Sequence, residues 1–361
     1  MVVLLIVLSI MSIIFKKRSI TRKKLRKDFF SSFSLFYVVV VLSLIVNSTI
    51  VWDAQLETKA ALFFMWFTFI PLNNSNKEFI LYKINQIFSH VIFLVCLLFL
   101  SSSLYFYFLE SGNDYWLHRD LITIFIGRIH PGYLSLYIVH VIFFQLIVRK
   151  NYTYIILMVP LLMLKSKTVI LSIVVLLILL VVIRGPKMTK ANILVIALFL
   201  ILVSSFIFFN ERFLSFDYIS GKIYQWHTAL VIFLDNPILG VGIHEISSEI
   251  ILSYEKIGYG AGIQFGYNSH NLFLHILSVT GILGFITFLI PFIRSYKSNR
   301  SKFSKKSPMH MFIFSIVLNF FIFSFFENLL SAQKGVLYFS LMINICLSLD
   351  LKRIDNASNP S

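Results

Sequence analysis

The sequence predicts an all-α, polytopic integral membrane protein of about eleven transmembrane helices, with a range of about ten to twelve, and one larger exterior loop. Three observations predict it. The 361-residue chain is 58% hydrophobic and only 13% charged, where soluble domains carry roughly 25% charged residues. Its apolar residues fall in long runs of near-spanning length. Its basic residues gather in short links between those runs, which is the positive-inside pattern of a membrane protein.

The runs fall at 1–15, 29–52, 60–72, 86–109, 134–149, 152–164, 168–184, 192–209, 272–293, 309–326 and 336–349. Several are shorter than the ~20 residues of a perpendicular span, 60–72 and 152–164 most clearly. The first run lacks a basic flank before it and a small-residue cleavage site, so it reads as a span rather than a signal peptide. The links orient the set. Residues 16–27 hold eight Lys and Arg, from Lys16 to Lys27. Residues 294–306 hold Arg294, Lys297, Arg300, Lys302, Lys305 and Lys306, and 184–190 hold Arg184, Lys187 and Lys190. With eleven spans these links and the tail with Lys352 and Arg353 share one side, the cytoplasmic one. Asp53, Glu57, Glu110 and Asp114 fall on the other. Losing one central span would split the basic links. The organisation read is one helical membrane domain over 1–349 and a cytoplasmic tail over 350–361.

The exterior loop is 210–271. Within it IYQWHTALVIFL, 223–234, reads as an amphipathic helix on the membrane surface, stopped by Asn236-Pro237. Six glycines between Gly240 and Gly266 read as a turn-rich remainder.

The formal charge of +16 belongs to the membrane surface, and no nucleic acid is implied. Cys96 and Cys346 sit in apolar runs and read as small buried hydrophobes, without disulfide or zinc spacing. No Gly-rich nucleotide cradle follows a strand, and His270 with His275 is not a zinc pair.

The topology puts Arg128, His130, Lys165, Lys167, Lys222, His270, Glu327 and Lys334 on the outer side, at or near headgroup depth. Singly, each has an ordinary explanation: a lysine snorkels, a histidine caps a span. Together they are unusual, because outer links should be poor in Lys and Arg. Cations beside lipid headgroups suit a polyphosphate group, whose oxygens they neutralise. A lipid-linked, already activated donor would also explain the missing nucleotide site.

These residues resemble the O-antigen ligase and polymerase superfamily, and within it a Bacteroidetes-type ligase-like subset. The shared text is Trp226, then DNPILGVG at 235–242, SHN at 269–271 and the paired Gly281 and Gly284. Upstream, His130-Pro131 with Tyr133 matches a His-Pro-x-Tyr stretch; downstream, ENLLSAQKGVLYF at 327–339 matches a Glu-Asn-x-Leu…Gln-x-Gly stretch. The resemblance covers roughly 110–340. It implies a glycosyltransferase of the bacterial inner membrane, working on the periplasmic or exterior face. Its donor is an undecaprenyl- or related polyprenyl-diphosphate-linked glycan, and its acceptor a glycan or lipid core. The implied transfer is inverting and uses no cofactor or metal. A polysaccharide flippase and chain-length proteins are the implied partners, with the phospholipid bilayer as surroundings. The family's essential histidine falls on His270, and its arginines fall on Lys167 and Lys222, where lysine keeps the charge and loses the planar fork.

The expected roles follow. His270 and Glu327 are candidate bases. Lys167, Lys222 and Arg128 bind diphosphate. His130, Tyr133, Trp226, Asn271 and Lys334 bind substrate or shape the site. Two other readings share these features. A flippase of lipid-linked oligosaccharide should show internal repeats and mid-membrane charges; here the charges gather at span ends. A nonenzymatic assembly component leaves the outer cations without a role.

Overall fold

Apolar runs become helices because a membrane offers no partner for an unpaired backbone N–H or C=O. In the computed structural model the described residues are 33–47, 77–109, 131–164, 216–303, 308–331, 333–343 and 346–347, with isolated positions between 168 and 197. In chain order the helices are α1 (Ser34–Asn47), α2 (Lys77–Leu109), α3 (Pro131–Phe143), α4 (Met158–Met163), α5 (Phe216–Asp235), α6 (Gly242–Lys256), α7 (Gly260–Phe265), α8 (Leu272–Phe303), α9 (Pro308–Phe326) and α10 (Gln333–Tyr338). Wider π turns extend α3 over Phe144–Arg149 and α10 over Phe339–Ile343, and a 3-10 turn, Tyr152–Leu157, leads into α4. No strand occurs among the described residues.

Among the described residues four helical stretches are long and apolar enough to cross a membrane: Leu81–Tyr105, Pro131–Arg149, Leu272–Lys297 and Pro308–Phe326. The protein is therefore an all-α, multi-pass membrane protein. Val38–Asn47 and Tyr152–Met163 are apolar but shorter. The expected spans at 1–15 and 60–72 and most of 168–184 and 192–209 lie outside the described residues.

The chain forms two compact units. One comprises Met1–Glu78, Phe216–Lys302 and Ser324–Ser361; the other comprises Phe79–Ser215 and Phe303–Phe323. In the second unit, α3 is almost wholly buried, while α2 leaves Ile87, Val91, Leu94 and Leu98 exposed. Their spacing of three and four draws one lipid-facing stripe along α2. The opposite side carries a polar clasp. His140 Nε2 lies 2.5 Å from Asn85 Oδ1, Asn85 Nδ2 donates to the Leu81 carbonyl, and Phe88 and Phe312 meet the imidazole edge-on. Beyond α3 the chain reverses within two residues, Lys150 in the left-handed region (φ 54) and Asn151, whose side chain accepts the Thr153 N–H.

The first unit holds α1, α5 to α8 and α10. Phe33 and Phe36, at the start of α1, pack on Phe288 of α8 at 5.7 and 5.3 Å between ring centroids. Phe292 and Phe339 close the same aromatic cluster around Phe33.

The described part of 210–271, expected as an exterior loop, departs from the turn-rich reading. The helix expected at 223–234 starts earlier, at Phe216, and ends at Asp235 before Asn236-Pro237 as the sequence predicts. Beyond it, α6 and α7 stand where loop was expected. Ile246, Ile250 and Tyr254 are buried at a spacing of four, so one face of α6 packs onto Ile232 and Val279. The glycines bound these helices more than they fill a loop. Gly258 and Gly266 take positive φ at the ends of α6 and α7, where a helix commonly stops on a left-handed residue.

The segment that positions the site is a break in α8. Gly281 has φ 61 and ψ −165, a region open essentially to glycine alone. In an unbroken helix the N–H groups of 282 and 283 would donate to the carbonyls of 278 and 279. Here Ile282 donates to the Pro237 carbonyl (2.9 Å) and Leu283 to that of Ile238 (3.4 Å). The two released carbonyls find other donors. Ser278 O accepts the Val241 N–H at 2.9 Å, and Val279 O accepts the Ser43 hydroxyl at 2.8 Å. Ser43 also reaches Leu239 O at 2.7 Å, and Asn47 Nδ2 donates to Gly240 O at 3.1 Å. These four polar groups are thus answered by the loop at 236–241 or by α1. The fit is tight. A Cβ on Gly281 would lie 2.2 Å from Ile238 O, and one on Gly240 would lie 2.4 Å from the Val279 carbonyl carbon.

Candidate functional site

The SHN text sits between α7 and the start of α8. Asn268 Oδ1 accepts the His270 backbone N–H at 2.8 Å. Asn271 Oδ1 accepts the N–H groups of Phe273 and Leu274 at 3.0 and 3.1 Å, making it the N-cap of α8. Between the two asparagines His270 is held in the left-handed region, φ 43. A non-glycine residue there costs about 1–3 kcal/mol and persists only where its surroundings enforce it. The two side-chain turns supply that enforcement.

His270 Nδ1 lies 3.4 Å from Glu327 Oε2, with each side chain 24% exposed. Glu327 follows directly on the last residue of α9, Phe326. The Lys222 ammonium, from the second turn of α5, donates to the Phe326 carbonyl at 3.4 Å. Lysine at a helix C-terminus meets an unsatisfied carbonyl and the negative end of the dipole. Three of the expected residues, on α5, at the start of α8 and at the end of α9, therefore converge on Phe326–Glu327.

The turn of α5 that carries Lys222 packs against Tyr259, between α6 and α7. The Tyr259 ring stacks on Tyr224 (4.9 Å between centroids, 19° between planes). A Cβ on Gly221 would lie 3.0 Å from the Tyr259 hydroxyl. Tyr254 meets Tyr259 edge-on at 5.1 Å. Burial pushes the hydroxyls of Tyr254 and Tyr259 above the ordinary tyrosine range, so both stay neutral and pack as aromatic wedges.

The other expected residues divide as follows. Asn271 shapes the site as a cap. Trp226 is half-buried on α5, one turn from Lys222, and its Nε1 lacks a hydrogen-bond partner among the described residues. Lys334 is half-buried at the second position of α10. Tyr133 is buried at the start of α3, in the second unit. Arg128, His130, Lys165 and Lys167 lie outside the described residues. Among the described residues no three His, Cys, Asp or Glu side chains gather as a metal site would require.

Sequence reasoning missed two contributors. Asn268 sets the histidine's backbone, and its signal was an Asn two residues ahead, the spacing of a side-chain turn. Tyr267 meets the His270 ring at 6.1 Å and 68°; nothing in the apolar pattern separated it from the chain's many other aromatics.

The site can hold a proton acceptor against a carboxylate. With Glu327 facing Nδ1, the neutral imidazole keeps its proton on Nδ1 and its lone pair on Nε2. It can hold a cation one residue away from that carboxylate. No curated protein matches the chain. A family model described as O-antigen ligase matches residues 152–289, the stretch that contains Lys222, the glycine-locked break and His270, and over that stretch the chain is similar to that family.

Proposed function

We propose that this protein transfers or polymerises a surface glycan, moving it from a polyprenyl-diphosphate-linked donor onto a sugar hydroxyl at the outer face of the bacterial inner membrane. The observation that supports this most is the pairing of His270 with Glu327 beside the Lys222 ammonium, next to a chain segment that matches O-antigen ligases. In the reaction the acceptor hydroxyl oxygen attacks the anomeric carbon. Its proton passes to His270 Nε2, and the carbon–oxygen bond to the diphosphate breaks with its electron pair leaving on the lipid diphosphate. Glu327 orients the ring and stabilises the imidazolium that forms. Lys222, with Lys167 and Arg128 as further cations, neutralises charge that grows on the leaving diphosphate. Direct displacement inverts the anomeric centre and needs no protein nucleophile or metal ion. A flippase that delivers the donor and chain-length proteins are the partners this reading calls for.

The test is transfer from a purified polyprenyl-diphosphate glycan to acceptor in detergent, with EDTA present. His270→Ala is expected to abolish transfer while abundance in the membrane stays near wild type. Full activity in that variant overturns the assignment of the base. Loss of wild-type activity on chelation overturns the metal-free step and leaves the site standing.

A further inference from the structure

Phe265 enters neither the fold's core nor the proposed chemistry, and its neighbour Tyr267 packs at the edge of the core beside His270. Phe265 is 60% exposed, unusual for a phenylalanine on a segment that is not a span. Gly266 between them takes φ 58 and turns the chain so that the two rings stack, 5.5 Å between centroids and 26° between planes. The stack is built. The Gly266 N–H caps α7 on the Gly262 carbonyl, and the Tyr254 hydroxyl, from a fully buried residue, holds the Tyr267 carbonyl at 3.1 Å. Tyr267 then meets His270 edge-on at 6.1 Å. Three rings thus run in series from an exposed face to the candidate base.

From this series we propose that Phe265 and Tyr267 form an acceptor-sugar subsite: a platform on which the acceptor's second sugar, one unit removed from the reacting hydroxyl, lies against the rings. The proposal rests on the glycan-transfer reading above. Pyranose rings carry apolar C–H faces that pack on aromatic rings, and a stacked pair presents such a surface in fixed orientation. Each ring-to-ring step is roughly the length of one sugar unit. A sugar whose hydroxyl reaches His270 Nε2 therefore places its neighbour over Tyr267 and Phe265. The donor is tied to the bilayer and the acceptor arrives from water. The platform lies on the exterior segment ahead of α8, the wet side of His270.

The experiment uses the full-length protein in detergent and in lipid nanodiscs. The acceptors are the glycan released by mild acid from the host's own lipid-linked donor, and the single sugars obtained from it by complete hydrolysis. Phe265→Ala is expected to raise KM for the released glycan about tenfold, with kcat, the donor KM and transfer to single sugars unchanged, and Tyr267→Ala to raise that KM at least as much. Phe265→Trp is expected to keep the wild-type KM. Equal loss on both acceptors, or no loss on either, overturns the subsite. A defect seen in nanodiscs and absent in detergent overturns it in favour of a ring anchored in lipid. If the wild type transfers nothing, saturation-transfer NMR with the released glycan still reads the platform. Signal that both alanine variants abolish supports a sugar subsite under a different chemistry, and signal unchanged by them overturns it.

Discussion

At the scale of single residues the proposed reaction depends on one carboxylate to orient one imidazole and one ammonium to answer charge. Glu327→Gln keeps the shape and removes the charge that stabilises a protonated His270. Transfer is expected to fall about ten- to a hundredfold, read as kcat at saturating acceptor, with the donor KM little changed. A Glu327→Gln enzyme with wild-type kcat would reduce the carboxylate to a bystander. Lys222 makes the complementary case. Lys222→Ala removes a donor of the kind whose loss typically costs about 2.7–4 kcal/mol of transition-state stabilisation, a hundredfold or more in rate. Lys222→Arg restores the planar fork and is expected to match or exceed wild type. If alanine and arginine behave alike, the ammonium serves only as a cap on the Phe326 carbonyl. Both candidate bases were legible in the sequence as residues. Their pairing was not, because 57 positions separate them and no local pattern encodes a contact at that range. The backbone strain at His270 was equally hidden, since histidine itself does not announce a positive φ.

At the scale of elements the break in α8 is the feature most open to test. Gly281→Ala would meet the Ile238 carbonyl and a forbidden backbone conformation together, an expected loss of about 3–5 kcal/mol. It should appear as lower membrane abundance and a lower melting temperature of the detergent-solubilised protein. Gly260→Ala is the control. Nothing lies within 4 Å of a Cβ there, and the position is helical, so stability should hold or rise by up to about 1 kcal/mol. Ser43→Ala would strip a hydroxyl whose single proton Val279 O and Leu239 O share, leaving a buried carbonyl short of a donor at about 1–3 kcal/mol. A Ser43→Ala protein as stable as wild type would mean the break needs no support from α1. The sequence announced the glycines and the DNPILGVG text without saying what they were for. Ser43 and Asn47, four apart in an apolar helix, were the one readable hint that α1 gives hydrogen bonds away. The α6 helix escaped the reading because its flanking glycines outweighed the four-residue recurrence of Ile246, Ile250 and Tyr254.

At the scale of the whole molecule the remaining question is which face is which. The basic links predict cytoplasmic placement for positions 24 and 299 and exterior placement for 248. Single cysteines at Lys24 and Asn299 should resist an impermeant thiol reagent in whole cells, and one at Ser248 should label; Ser248 is exposed on α6, so failure there cannot be laid to burial. The opposite pattern would invert the topology and carry His270 to the cytoplasm. Composition alone made the membrane class and the all-α architecture legible, because the energy of burying backbone in lipid leaves few solutions. The number of spans rests on charge bias, a whole-chain quantity that labelling can read segment by segment.

The hydrogen-bond exchange around Gly281 also has an order in time. Chains are made from the N-terminus, so Ser43 and Asn47 emerge first, the loop at 236–241 much later, and the segment 278–283 last. When α8 arrives, the donors and acceptors that its break requires are already made and waiting in the earlier chain. The last segment is thus shaped by a template its predecessors have assembled. A ribosome that stops short of residue 278 would leave the carbonyls of Pro237 and Ile238 bare, a form the quality-control proteases of the membrane should recognise and remove.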